Sequence, residues 1–195
     1  MSDREKSRPG LALRRRLILL FVFSLILGGI LSSARTGRGA GITTVILVRH
    51  AERNTDLDDG DLTEAGKKRA EVLLHTLKNA RITAIYTSQF LRTKRTVEPL
   101  AKWLGLGTTP IKMIRDETKP NNISPESIEE VHRAIQKHRG ETILIAGHSN
   151  TIPEIMKRLG VKDPPQIGSD DFDDLFVVAT GDWPKLIHLH YGEGK

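Results

Sequence analysis

TTVILVRHAER, residues 43–53, and TILIAGHSN, residues 142–150, decide the fold. Each opens with six residues that are almost wholly aliphatic or β-branched. A run this short, bounded by polar residues, reads as a strand buried on both faces. Each run stops at a histidine, the first at Arg49-His50 and the second at Gly147-His148.

Working outward, helices and further strands alternate with these two. Thr63 caps a predicted helix whose apolar face is Ala70, Leu73, Leu74 and Leu77. Residues 84–88 (AIYTS) read as a strand. Thr93, Val97, Leu100, Ala101 and Leu104 mark the next helix, with Gly105 as its stop. Residues 111–114 are expected to form a third strand. Ser124-Pro125-Glu126 is a helix start, combining cap, first-turn proline and early acid. Thr151 and Pro153 open another helix, closed by Gly160. FVVAT, residues 176–180, is a further strand. In residues 185–191, Ile187, Leu189 and Tyr191 share one face and His188 and His190 the other. The expected fold is α/β, a three-layer α/β/α sandwich with a mostly parallel central sheet. Ligands bind beyond the carboxyl ends of such strands. His50 and His148 therefore reach the same edge of the sheet.

Composition narrows the function. Hydrophobic residues make up 38% and charged residues 28% of the 195, which excludes a disordered chain. Cysteine is absent, which excludes disulfides, thiolate metal sites, a cysteine nucleophile and a lipidated cysteine. The net charge is +6, but the basic bias sits largely in the leader: Arg4, Lys6, Arg8, Arg14, Arg15 and Arg16 oppose only Asp3 and Glu5 there. With aromatics at 5% and no basic face elsewhere, no nucleic-acid partner is expected.

Residues 1–34 read as a signal peptide or an N-terminal membrane anchor. Three arginines precede Leu17 to Ala34, which carry no charge. Eighteen helical residues would span about 27 Å, just short of a hydrocarbon core. Ser32-Ser33-Ala34 suits cleavage, and Gly28-Gly29 interrupts the apolar run. Either reading leaves the arginines in the cytoplasm and exports the rest, to the periplasm or another extracytoplasmic space. If uncleaved, residues 17–34 hold the protein to the membrane. Residues 35–41 (RTGRGAG) read as a linker, and residues 42–195 as one catalytic domain.

Four segments, in order, resemble the histidine phosphatase superfamily, the one that includes phosphoglycerate mutases, and specifically its branch 1 and its small exported members. They are LVRHAER (47–53), LTEAGKKRA (62–70), YTSQFLRTKRTVEPLA (86–101) and GHSNTIPEI (147–155). The tail DDFDDLFVV, residues 170–178, adds to the likeness with the small exported members. The resemblance implies a phosphoglycerate mutase-like fold and no cofactor or metal. It implies His50 as nucleophile, with Arg49, Arg92 and His148 as catalytic, phosphate-binding groups. These roles suit the chemistry. A neutral imidazole nitrogen can attack phosphorus and divide hydrolysis into two easier steps. Charge on the transferred phosphoryl oxygens calls for fixed cationic forks. Asn150 and the amide of Thr151, at a helix start, add a place for the anion.

The general acid is read less directly. Glu117, in MIRDETK, stands near the position of the family's glutamate, with Asp116 beside it. Glu52 is a second candidate, as an acid or as a group positioning Arg49 or Arg92. Ser149 stands where the other branch has an aspartate, which argues against a phytase-like acid. Asp173 and Asp174 are read as a solvated acidic loop. The residues Asp56, Asp58, Asp59 and Asp61 fail the EF-hand spacing in either register, and no P-loop is present. His188 and His190 are read as structural rather than as a metal pair.

The expected activity is a metal-independent phosphomonoesterase working through a phosphohistidine on a small-molecule or envelope-linked phosphomonoester. The alternatives are a phosphoglycerate mutase-type phosphotransferase and a membrane-tethered phosphate-binding protein without turnover. The short segment between Arg92 and His148 leaves little room for a substrate-enclosing insertion, which weighs against the mutase. A metallohydrolase with His50 and His148 as ligands predicts chelator sensitivity. Nothing in the residues sets the oligomeric state.

Overall fold

The protein is described here from a computed structural model, covering residues 41–56, 58–118 and 123–192. The expected leader and most of the expected linker lie outside the described residues. Among the described residues, no helix is long and apolar enough to cross a membrane.

The elements run β1 (Thr44–Arg49), α1 (Glu64–Leu77), β2 (Ile82–Ser88), α2 (Leu91–Leu104), β3 (Thr108–Ile111), α3 (Pro125–Gln136), β4 (Thr142–Gly147), α4 (Thr151–Arg158), β5 (Asp174–Ala179) and β6 (Lys185–His190). They build one six-stranded sheet in the order β3-β2-β4-β1-β5-β6. β1, β2, β3 and β4 pair in parallel. β5 is antiparallel to β1, and β6 to β5, so β5 alone opposes the other strands. Its reversal brings the start of β5, rather than its end, to the edge where β1 and β4 finish.

The two quoted runs are the centre of this sheet. β1 and β4 lie side by side, with Arg49 opposite Gly147. Val45 and Leu47 face one layer, where Val131 and Ile135 of α3 and Ile152, Ile155 and Met156 of α4 cover them. Ile46 and Val48 face the other, under Leu73 and Leu77 of α1 and Val97 and Leu100 of α2. Both faces are dry, which is why these strands carry no polar alternation.

Local signals place the helices. The Thr63 hydroxyl accepts from the Gly66 amide and starts α1, and the Ser124 hydroxyl accepts from the Ser127 amide and starts α3. Gly105 ends α2 at φ +66°, a conformation without steric cost for glycine.

The third strand differs from expectation. It spans Thr108–Ile111 rather than 111–114. Pro110 is tolerated because β3 is an edge strand. Beyond Ile111 the backbone leaves the sheet, and the Gln89 side chain satisfies Met113 instead. Gln89 Oε1 accepts from the Met113 amide at 2.8 Å, and its Nε2 donates to the Met113 carbonyl at 3.1 Å. Met113 is buried while Ile114 is 48% exposed, so the apolar run packs through its side chains without strand pairing.

Candidate active site

The carboxyl ends of β1, β2 and β4 open into a cleft of about 640 Å³. Arg49, His50, Glu52, Arg92, His148 and Asn150 all line it. Glu117 does not line it; it is exposed, in a turn after β3.

His50 is fixed by the backbone on both sides. Its amide donates to the Gly147 carbonyl at 3.0 Å, tying the end of β1 to β4. Its Nδ1 lies 2.8 Å from the Ala51 carbonyl. A carbonyl only accepts, so Nδ1 carries the proton and Nε2 keeps its lone pair. The Ala51 amide donates to the Thr96 hydroxyl at 2.8 Å, and that hydroxyl donates to the Arg92 carbonyl. The turn that presents His50 is thus bolted to the first turns of α2, where Arg92 sits.

His148 stands beside it, with ring centroids 5.3 Å apart. Its Nε2 is 2.9 Å from the Ser88 hydroxyl, which in turn is 2.9 Å from the Thr93 hydroxyl. Burial pushes the His50 pKa down to about 4; Arg92, Arg49 and Arg53 push the same way, and the Ala51 carbonyl opposes them. His148 is lowered further, again by burial first and then by His50 and the arginines. Two neutral imidazoles at neutral pH is the state a nucleophilic nitrogen needs.

Both arginines line the cleft with the histidines. Arg49 Nη1 donates to the carbonyls of Gly168 at 2.6 Å and Asp171 at 3.2 Å, and its guanidinium lies over the Phe172 ring at 4.0 Å. Arg92 lies over Phe90 at 4.1 Å and 3.6 Å from Asp59. Arg49 Nε and Arg92 Nε and Nη1 are buried without a hydrogen bond. Burial lowers the pKa of both guanidinium groups, as expected for cations taken from water without full compensation. These atoms can donate to an anion that enters between them.

Several expectations are corrected in detail. Glu52 acts on Arg49 through its charge, but its hydrogen bonds go elsewhere. It accepts the fork of Arg69, from Nε at 2.9 and 3.0 Å and from Nη2 at 2.7 Å. Burial raises its pKa, but the Arg69 hydrogen bonds and charge outweigh burial and hold it below the ordinary value, so it stays ionised. Gly66 lets α1 approach this segment: a Cβ there would meet the Glu52 carbonyl oxygen at 2.1 Å. The Thr151 amide is not open to an anion, because it donates to the His148 carbonyl at 3.0 Å. Asp173 and Asp174 are not a solvated loop. Asp174 is buried at the start of β5 and accepts from His188 at 2.6 Å. The acidic loop at 56–61 does more than sit in solvent: Asp59 takes the Leu91 amide at 2.8 Å and so caps α2, whose own Phe90 cannot.

Other cleft residues escaped the sequence reading. Phe90 and Phe172 stack on the two arginines, and Arg53, Arg115 and Asp170 line the walls. Phe90 was legible in principle, two residues before Arg92. Phe172 and Asp170 were not, because only the reversal of β5 carries them to this edge.

The geometry agrees with a family likeness. Residues 45–118 match the model of the histidine phosphatase superfamily (branch 1). That stretch holds Arg49, His50 and Arg92, and the second histidine lies beyond it. No curated protein matches the sequence. Among solved structures, the chain is similar to Bacillus stearothermophilus YhfR, with 19% identity, 72% of this chain and 92% of that one covered, and a TM-score of 0.59. It is similar to a mycobacterial glucosyl-3-phosphoglycerate phosphatase complexed with VO3, with 13% identity, 74% and 96% covered, and a TM-score of 0.57. It is also similar to a phosphoserine phosphatase variant from Entamoeba histolytica in complex with phosphoserine, with 16% identity, 74% and 94% covered, and a TM-score of 0.55. At these identities the structures establish the shared histidine phosphatase fold.

Proposed function

We propose that the protein is a phosphomonoester hydrolase that transfers the phosphoryl group to His50 and then to water, with no metal in the chemistry. The observation that carries this reading is the set of buried, unsatisfied guanidinium atoms of Arg49 and Arg92 flanking two neutral histidines in one cleft. The superfamily match over 45–118 and the likeness to phosphatase structures support it.

The steps follow from the atoms. The phosphate binds between the two guanidinium groups, which place charge where the equatorial oxygens develop theirs. His50 Nε2 attacks phosphorus while Nδ1–H stays on the Ala51 carbonyl. The bond from phosphorus to the ester oxygen breaks, and the leaving oxygen takes a proton. Among the described residues lining the cleft, the carboxyl groups are Glu52 and Asp170. Glu52 is held ionised by Arg69. Asp170 therefore takes the role of acid in place of Glu117, and its carboxylate then accepts a proton from the water that attacks the phosphohistidine. Inorganic phosphate leaves and His50 is restored.

The substrate is a small or envelope-linked phosphomonoester, and the enzyme works outside the cytoplasm, a reading that rests on residues 1–34 of the sequence. An alkaline-phosphatase fusion after residue 41 tests export: it is active if the reading is right and silent if the domain stays inside.

The deciding experiment assays the full chain on an aryl phosphate with excess EDTA, beside His50→Ala. Turnover that survives EDTA and disappears in the variant, with an acid-labile phosphoryl adduct trapped on His50 in the parent, is the expected result. Turnover abolished by EDTA, or retained in the variant, overturns the mechanism.

A further inference from the structure

Beside the cleft, β5 and β6 carry a second cluster that the phosphoryl chemistry does not use. Asp174, His188 and His190 share one face of the sheet, with Asp174 opposite His190 and Phe176 opposite His188. Their ligand atoms all lie within 4.8 Å of one another. His188 Nε2 is 2.6 Å and His190 Nδ1 3.5 Å from the same oxygen, Asp174 Oδ1. Asp173 Oδ2 lies 3.6 Å from His190 Nδ1 on the other side.

We propose that Asp174, His188 and His190 form a binding site for a single zinc-type divalent cation, with Asp173 as a further oxygen donor. Two imidazoles and a carboxylate suit this class of metal. Bonds of about 2.0–2.1 Å in a tetrahedron put ligand atoms about 3.3 Å apart, so small side-chain rotations bring these atoms into place. The donors are unevenly supported, as a built site requires. Asp174 is buried, with its side chain 6% exposed, and His188 is stacked on Phe176 at 4.4 Å, so two of the three are held. His190, with its side chain 62% exposed, is the one that swings, between Asp174 and the fourth donor, Asp173.

The cation would have a structural consequence at the phosphate cleft. Asp174 is among the carboxylates acting on Arg49. It lies two residues after Phe172, at the end of the Gly168–Phe172 segment that holds the Arg49 guanidinium through two carbonyls and a ring. Clamping the start of β5 to β6 fixes that segment. The metal supplies rigidity here and takes no part in bond breaking.

The test uses the untagged full chain, stripped of metal by chelator, titrated with Zn²⁺ and separately with Co²⁺. We expect one equivalent bound, an intense four-coordinate Co²⁺ visible spectrum, and a Tm that rises with Zn²⁺ concentration. His190→Ala removes an exposed ligand without a core contact, and His188→Ala/His190→Ala removes both imidazoles. Each should weaken binding at least tenfold and abolish the Co²⁺ spectrum, while His50→Ala leaves both unchanged. Absence of saturable binding, binding unaffected by either variant, or binding lost in His50→Ala overturns the proposal. None of these readouts depends on turnover, so they stand or fall separately from the phosphohistidine mechanism.

Discussion

The two ends of the central sheet treat their polar groups differently. Around the start of β4 most are paired, the buried Nδ1 of His132 excepted. The Tyr86 hydroxyl meets His138 Nε2 at 2.8 Å, His138 Nδ1 meets Glu141 at 2.8 Å, and Thr83 donates to the same carboxylate at 2.8 Å. Thr43 donates through its hydroxyl to the His138 carbonyl and through its amide to Thr180. Beyond the other end, guanidinium nitrogens of Arg49 and Arg92 are buried with no hydrogen bond, beside two histidines stripped of their charge. A paired polar group stabilises the fold modestly, and an unpaired one costs stability. The first end is built for the folded chain alone. The second is completed by an anion, so its groups should matter more to binding and turnover than to folding.

Four measurements test that contrast. Arg92→Ala should lower kcat/KM on an aryl phosphate by about a thousandfold, near 4 kcal/mol of transition-state stabilisation. Its unfolding free energy should stay within about 1 kcal/mol of the parent, because two of the deleted donors had no hydrogen bond and the ion pair to Asp59 is long, at 3.6 Å. A large stability loss with little kinetic effect would make Arg92 a structural residue and erase the contrast.

Acid should act next most strongly, and through the cleft. His50 has a folded-state pKa of about 4, below its ordinary 6.5. The unfolded chain therefore takes up this proton first as pH falls. The stabilisation is full above pH 6.5 and is lost on going down toward pH 4, a change of about 3 kcal/mol for a shift of this size. Urea unfolding at pH 7.5 and pH 5 should show the loss, and His50→Asn should reduce it, with His148, lowered still further, supplying the remainder. An unchanged pH slope in that variant would show that His50 is not the group responsible.

Asp170 lines the cleft and Glu117 does not, so the two carboxyl groups separate site from surface. Asp170→Asn should reduce kcat by about a hundredfold on an alkyl phosphate, whose leaving group needs a proton, and less on an activated aryl phosphate. Glu117→Gln should leave both rates within about twofold, because Glu117 is exposed and does not line the cleft. The reverse ranking would return the acid to Glu117.

The smallest effect is expected at the paired end. Tyr86→Phe removes one hydrogen bond from His138 and should cost about 1 kcal/mol of stability. Turnover should be unaffected, as the hydroxyl points away from the cleft toward the start of β4. A drop in kcat would mean that the two ends are coupled through β2 or β4.

Local pattern alone showed that two apolar strands end in histidine, that helices alternate with them, and that His50 and His148 reach one edge of the sheet, while Arg92 came from the resemblance of residues 86–101 to the superfamily. Periodicity and caps are local properties, and local signals such as Thr63, Gly105 and Ser124-Pro125 act over a few residues. What stayed hidden depends on pairing between distant segments. The path of residues 111–114 was set by the Gln89 side chain, which occupies the backbone groups of Met113 that a strand would have used. Glu52 found Arg69, seventeen positions away, for its hydrogen bonds rather than Arg49 or Arg92. The direction of β5 decided that Asp170, Phe172 and Asp174 reach the catalytic edge, and no apolar run of six residues reveals which way it will point. Strand direction is fixed by which neighbour offers unpaired backbone groups and a dry face, and only the assembled sheet supplies both.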